Sequence, residues 1–82
     1  SNAMGKAQLI IKDNGILAGM ELAQIIFARV DADLKVDVRI QDGTKVEKGQ
    51  IGLYVEGKAQ SILKAERLVL NCMQRMSGIA TF

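Results

Sequence analysis

The 82-residue chain contains no histidine, no proline, no tryptophan and only one cysteine, Cys72. An intrachain disulfide is therefore impossible, and metal sites built from histidines or paired cysteines are excluded. With two Phe and one Tyr as the only aromatic residues, aliphatic side chains must form most of the core. The eleven Lys and Arg residues are scattered and not interleaved with aromatic residues, so no nucleic-acid interface is indicated.

Cys72 lies near the apolar arc of a predicted helix, which favours a small buried apolar residue over a reactive thiol. The sequence shows no signal-peptide pattern and no long apolar run. These features, with a lone reduced cysteine, favour a cytoplasmic protein that does not enter a membrane.

The chain is predicted to form one small domain over residues 4–76. Residues 1–3 resemble the remnant of a cleaved expression tag and are left out of the fold prediction. Apolar residues make up 49% of the chain, enough for a core. A domain of this size buries only about 60% of its unfolded surface, so contact with a partner would stabilise it.

Periodicity predicts the element order β-β-α-β-turn-β-α. Strict alternation indicates a strand over 34–40, and apolar spacing indicates helices over 20–30 and 60–76. Three further strands are predicted over 7–12, 16–18 and 51–55, with Gly57 ending the last of them. The order predicts an α+β, sandwich-like fold in which two helices cover a mainly antiparallel sheet of about four strands.

The last helix carries the candidate functional residues. Its polar arc comprises Lys64, Arg67, Asn71, Gln74 and Arg75, and its apolar arc comprises Ile62, Leu63, Ala65, Val69, Leu70, Cys72, Met73 and Met76. Glu66 projects from the apolar side, where a carboxylate needs a cation or backbone donors. We expect it to pair with and orient a neighbour, since no second carboxylate or histidine accompanies it as in an acid catalyst.

Spacing alone leaves Arg67 as a solvated helix arginine, although its guanidinium could bind a carboxylate or phosphate through two parallel hydrogen bonds. Ser77 and Gly78 are predicted to end the helix, with the glycine as a left-handed cap. Residues 79–81 would begin the next segment.

Two stretches of this helix, AERLVLN over 65–71 and QRMSGIAT over 74–81, closely resemble the signature of quinolinate phosphoribosyltransferases, also called nicotinate-nucleotide pyrophosphorylases. The stretches GILAG over 15–19 and DGTKVEKGQ over 42–50 are similar to the same family's amino-terminal domain. The resemblance covers nearly everything after the first three residues. At position 72, Cys stands where a larger apolar residue is expected, which affects packing and not chemistry.

The resemblance implies a fragment of a longer, full-length parent protein. That parent would be a type II phosphoribosyltransferase, a glycosyltransferase of de novo NAD biosynthesis. It would convert quinolinate and phosphoribosyl pyrophosphate, with Mg²⁺, to nicotinate mononucleotide, pyrophosphate and CO₂. Its amino-terminal α/β sandwich would precede an α/β barrel that holds most of the active site, and residues 77–82 would begin the connection.

In the dimer that the resemblance implies, Arg67 reaches into the partner subunit's active site and binds a substrate carboxylate. No catalytic residue and no metal ligand is expected within this fragment, which should be inactive alone. Without a barrel, the apolar face of the last helix is only partly covered. We therefore expect a homo-oligomer, with exchange of the terminal segment as one route to it.

Two alternatives remain open. The turn over 42–50 also resembles the one that precedes the modified lysine of biotinyl and lipoyl carrier domains, with Lys58 as the attachment site; the helix that follows Lys58 argues against this. The other is a related enzyme on the same scaffold, such as a nicotinate phosphoribosyltransferase or the similar protein of molybdate operons. The Glu66-Arg67 pair followed by Leu70-Asn71 favours the quinolinate branch.

Overall fold

The computed structural model describes residues 3–76 and 80–82, and over 74–76 it describes the backbone alone. The predicted cap at Ser77 and Gly78 lies outside the described residues. The elements are β1 (Met4–Ile11), β2 (Gly15–Ile16), α1 (Met20–Val30), β3 (Lys35–Val38), β4 (Lys45–Val46), β5 (Ile51–Lys58), α2 (Ala59–Met76) and β6 (Ala80–Thr81).

The main sheet has four strands in the order β3-β5-β1-β6, and every neighbouring pair is antiparallel. The α+β class and the four-stranded antiparallel sheet with two helices are thus confirmed. The membership of the sheet differs from the prediction, because its fourth strand is β6 and not the segment 16–18. Instead β2 pairs with β4 in a separate two-stranded sheet.

The small β2–β4 sheet is held by contacts that lie far apart in sequence. The Leu17 backbone N–H donates to the Thr44 carbonyl at 2.9 Å, and the Lys48 N–H donates to the Asn14 side-chain oxygen, also at 2.9 Å. These bonds draw the segment after β1 toward the turn after β3. No local pattern could indicate that choice of partner.

Strand β5 continues to Lys58, so the prediction that Gly57 ends it is wrong. Gly57 pairs with Gly5 of β1 and has a φ of 150°. A Cβ at this position would lie 2.7 Å from Leu34 Cδ2. The glycine is needed because Leu34 packs directly onto the strand, and not because the strand stops there.

Both helices contribute buried residues to one continuous core with the sheet. Inward-facing positions alternate along the strands, as in Leu9 and Ile11 of β1 and Leu53 and Val55 of β5. Helix α1 contributes Met20, Ala23 and Phe27. The ring of Phe82, after β6, meets the Phe27 ring edge-on at a centroid distance of 6.1 Å. The chain end therefore packs on the domain itself.

The start of α1 is capped from a distant turn. The preceding residue, Gly19, has a φ of 95° and no side chain to offer. The carboxylate of Asp42 instead accepts hydrogen bonds from the backbone N–H groups of Met20 at 2.8 Å and Glu21 at 3.1 Å. The negative charge also favours the positive end of the helix dipole. Asp42 thus fixes α1 relative to the turn between β3 and β4.

Candidate functional site

Helix α2 is the rigid platform of the candidate site. Its inner face is an apolar stripe with helical spacing, made of Ile62, Ala65, Val69 and Met73, each at most 4% exposed. Two hydrogen bonds fix its first turn. The Ala59 N–H donates to the Ala3 carbonyl at 2.8 Å, and the Ser61 hydroxyl donates to an Asp31 carboxylate oxygen at 2.7 Å. The second bond joins the start of α2 to the end of α1.

Arg67 lies on the opposite, exposed face of this helix. Lys64 and Asn71 share that face, which we call the outer face of α2. Among the residues that the structure describes, the Arg67 guanidinium has no ion pair and no hydrogen bond within the chain. Its five donors are therefore available to an external anion. Substrate binding by Arg67 stays a prediction. Binding requires an exposed guanidinium, and the position of Arg67 on the outer face meets this requirement.

Two adjoining surface depressions surround these polar groups. One, of about 330 Å³, is lined by Leu63, Lys64, Arg67 and Leu68. The other, of about 400 Å³, is lined by Ile26, Leu68, Asn71 and Cys72. Leu63 is 66% exposed and Leu68 is 43% exposed. Leu63 of the predicted apolar arc therefore lies outside the buried stripe, because it projects about 100° away from Ile62.

Cys72 is half-buried and contributes to the wall of the second depression. This placement agrees with a packing role, although the side chain is less buried than expected. The sulfur lies in the groove where Ile26 of α1 approaches α2. A larger apolar residue at this position would fill part of that groove.

Glu66 is half-buried at the border between the two faces of α2. Desolvation raises the pKa of its carboxyl above the ordinary value. The expected cation or backbone donor is not found among the described residues. Glu66 and Arg67 are adjacent, and adjacent helix residues point about 100° apart, so they do not face each other.

Where α1 ends and α2 begins, the hydrogen bond from the Ser61 hydroxyl lowers the pKa of the Asp31 carboxyl. The Asp33 backbone N–H, which donates to Asp31 at 2.9 Å, lowers this pKa to a smaller extent. The Asp31 carboxylate therefore serves as a junction between α1 and α2. The contact between Ser61 and Asp31 was not recognised from the sequence, because the two residues lie thirty positions apart.

Lys58 is exposed, but it is the last residue of β5, and α2 begins at the next position. Its strand neighbour is Met4, and the two residues form the end pair of the ladder between β1 and β5. A carrier-domain lysine needs to project from a hairpin tip. The geometry of Lys58 does not provide this, so the carrier alternative is not favoured.

Within residues 3–76 and 80–82, no three His, Cys, Asp or Glu side chains lie close enough together to hold a metal ion. Of the helices in this same part of the chain, neither is both long enough and apolar enough to cross a membrane.

Residues 1–77 match the family model described as "Quinolinate phosphoribosyl transferase, N-terminal domain". The chain is 57% identical over 76 residues to quinolinate phosphoribosyltransferase [decarboxylating] 1b of Nicotiana tabacum, covering 93% of this chain and 22% of that protein. It is 49% identical over 81 residues to a chloroplastic nicotinate-nucleotide pyrophosphorylase [carboxylating] of Oryza sativa subsp. japonica. This match covers 99% of this chain and 22% of that protein.

Among solved structures, NadC from Streptococcus pyogenes superposes with a TM-score of 0.84 at 32% identity. The superposition covers 92% of this chain and 27% of the other. The chain thus spans about a fifth of the length of the curated relatives that it matches. The matched region includes α2 and Arg67.

Proposed function

Because this chain belongs to the quinolinate phosphoribosyltransferase family, as its amino-terminal domain, we propose that its full-length parent protein is a phosphoribosyltransferase of NAD biosynthesis. The parent converts quinolinate and phosphoribosyl pyrophosphate to nicotinate mononucleotide, pyrophosphate and CO₂. Relatives named for this activity, from three plant genera and from Bacillus subtilis, match almost the whole chain.

The contribution of this domain is to bind the substrate and not to catalyse the reaction. The observation that supports this most directly is Arg67, which is exposed on a helix whose inner face is fully packed. A guanidinium binds a carboxylate through two parallel charge-assisted hydrogen bonds. Quinolinate carries two carboxylates, so a positioned arginine with no ion pair or hydrogen bond to the described residues suits it.

Arg67 acts on the active site of a neighbouring subunit in a homodimer. Its own domain offers a convex helix face, which needs a second surface to enclose a ligand. Leu63 and Leu68, which flank Arg67, are exposed and supply apolar contact area for a ligand held between the two surfaces. The terminal segment pairs with β1 within the same chain, so the dimer does not require its exchange. Analytical ultracentrifugation of the parent protein tests the dimer; a monomer at working concentration contradicts it.

Mg²⁺ binds outside this domain, to acidic residues and phosphates of the assembled active site. This division rests on the family resemblance, which places the acidic metal ligands in the α/β barrel. The 82-residue chain alone should therefore retain no transferase activity at any Mg²⁺ concentration.

A cytoplasmic location for the parent is part of the proposal, resting on the single cysteine of this domain, which cannot form an intrachain disulfide. Relatives named as mitochondrial and chloroplastic exist in Nicotiana tabacum and Oryza sativa. Fractionation of the source cells, with detection of the parent protein, distinguishes these compartments.

The decisive experiment is a turnover assay of the full-length parent. Nicotinate mononucleotide formation from quinolinate should depend on phosphoribosyl pyrophosphate and be accompanied by one equivalent of released CO₂. Nicotinate, which lacks one carboxylate, is the matched substrate control and should react far more slowly. Efficient use of nicotinate, with quinolinate inert, would favour the related enzyme on the same scaffold.

A further inference from the structure

We propose that Lys64 is a second cation of the Arg67 site, so that the outer face of α2 binds an aromatic dicarboxylate through two charged groups. This inference rests on the proposed function, because it extends the ligand contacts assigned there to Arg67. It concerns a residue to which neither the family resemblance nor the comparisons assign a role.

The spacing of the two side chains allows a shared ligand. Lys64 and Arg67 are three positions apart on α2, so their Cβ atoms lie about 5–6 Å apart on one helix face. Both side chains are exposed. Both line the same open depression of about 330 Å³. Two adjacent carboxylates on one ring can therefore meet one cation each.

The local charge favours an external anion. Neither Lys64 nor Arg67 has an ion pair or hydrogen bond with another described residue. The only acidic residue in the sequence of α2 is Glu66, which is half-buried on another side of the helix. Like charges three positions apart repel each other slightly. A bound dianion removes that repulsion, whereas no group described within the domain does so.

The apolar residues beside Lys64 and Arg67 favour a ligand whose carboxylates are attached to an aromatic ring. Leu63 and Leu68, at 66% and 43% exposure, form the apolar part of the same depression. A flat ring whose carboxylates reach Lys64 and Arg67 can lie against these leucines and exclude water from the ion pairs. Ion pairs are stronger where water is excluded. A phosphate group would meet the cations but would leave the leucines uncovered.

The test is steady-state kinetics of the full-length parent carrying Lys64→Gln. We expect the KM for quinolinate to rise about tenfold, as for loss of one charge-assisted hydrogen bond in a partly exposed site. The KM for phosphoribosyl pyrophosphate and kcat should change by less than about twofold, because only ground-state binding of the dicarboxylate is lost. Lys64→Arg, which keeps the charge, should stay near the wild-type value.

The matched control is Lys35→Gln, which removes another exposed lysine, from β3 in the sheet layer of the domain. The proposal is overturned if Lys64→Gln raises the KM for quinolinate no more than Lys35→Gln does. It is also overturned if both substrates are affected equally, since that indicates a general field effect.

The wild-type parent separates the two levels of the proposal. If it does not turn over quinolinate, the proposed function fails and the role of Lys64 fails with it. If it does, and Arg67→Gln weakens quinolinate binding while Lys64→Gln does not, the inference on Lys64 fails alone.

Discussion

The inner and outer faces of α2 are built from neighbouring residues, yet they have opposite environments. Ile62 is 4% exposed and Leu63, the next residue, is 66% exposed, although the two side chains have similar size and hydrophobicity. The inner face contacts the sheet and α1. At Arg67 the outer face is exposed and makes no ion pair or hydrogen bond with the described residues. Residue type therefore does not determine the role of a position on this helix; its angle does.

This contrast indicates how the helix combines rigidity with an exposed binding group. Burial of one apolar stripe fixes the backbone, so side chains on the other face project from defined positions. Substitutions on the outer face should then alter binding while leaving the stability of the fold almost unchanged. Substitutions on the inner face should have the reverse effect.

The largest expected effect is that of Arg67→Ala in the full-length parent. Loss of a desolvated arginine–carboxylate pair costs about 3–4 kcal/mol, so kcat/KM for quinolinate should fall about 100- to 1000-fold. Arg67→Lys keeps the charge but not the planar pair of donors, and should recover only part of the loss. Thermal unfolding of both variants should match the wild type, because the side chain is exposed.

An equal loss of activity accompanied by a clear loss of stability would mean that Arg67 supports the fold instead. Unchanged kinetics in Arg67→Ala would remove the binding role altogether. Both measurements are therefore needed on the same protein preparations.

The next largest effect compares Ile62→Ala with Leu63→Ala. Ile62→Ala leaves a cavity in the core and should lower the free energy of unfolding by about 2–4 kcal/mol. Leu63→Ala removes a similar number of carbon atoms from an exposed position and should cost less than about 0.5 kcal/mol. Urea unfolding followed by circular dichroism gives both values. Equal losses would mean that Leu63 is buried in the protein as it exists in solution.

A smaller effect is expected at the distant cap of α1. Asp42→Ala removes the acceptor for the Met20 and Glu21 N–H groups, and should cost about 1 kcal/mol. Asp42→Asn keeps an acceptor and should recover most of it. Asp33→Ala, at an exposed aspartate whose side chain has no described hydrogen bond, is the control. A loss no greater than that of the control would show that the cap contributes nothing in solution.

Local periodicity predicted most elements correctly because it reports which face each residue buries. The alternation of Val36 and Val38 with charged residues identified β3, and the spacing of Met20, Ala23 and Phe27 identified α1 with the bounds observed. These signals depend only on neighbours within one element. The α+β class followed from the order of such elements.

Contacts between distant residues were not predictable in this way. Residues 80–81 add a strand to β1, and 15–16 pair with 45–46, because of tertiary geometry that no short window encodes. Gly57 resembled a strand terminator but is a point of close packing beneath Leu34. For the candidate site, spacing placed Arg67 on the polar arc, whereas its proposed ligand came from the family resemblance and not from the pattern.

The smallest expected effect is at Glu66, which lies where the two faces of α2 meet. Its carboxyl has a raised pKa in the folded chain because of desolvation, so the folded state holds the proton more tightly than the unfolded state. Its favourable contribution is complete below the ordinary glutamate pKa of about 4.3, and is lost as pH rises through the higher folded value. Glu66→Gln, which stays neutral, should therefore be more stable than the wild type at pH 7 and lose that advantage at about pH 4.

Urea unfolding of both proteins at several pH values measures this difference in stability, with Glu47→Gln, at an exposed position, as the control for charge. If Glu66→Gln is instead destabilised at pH 7, the carboxylate has a cationic partner in solution, and the border between the two faces is closed by an ion pair.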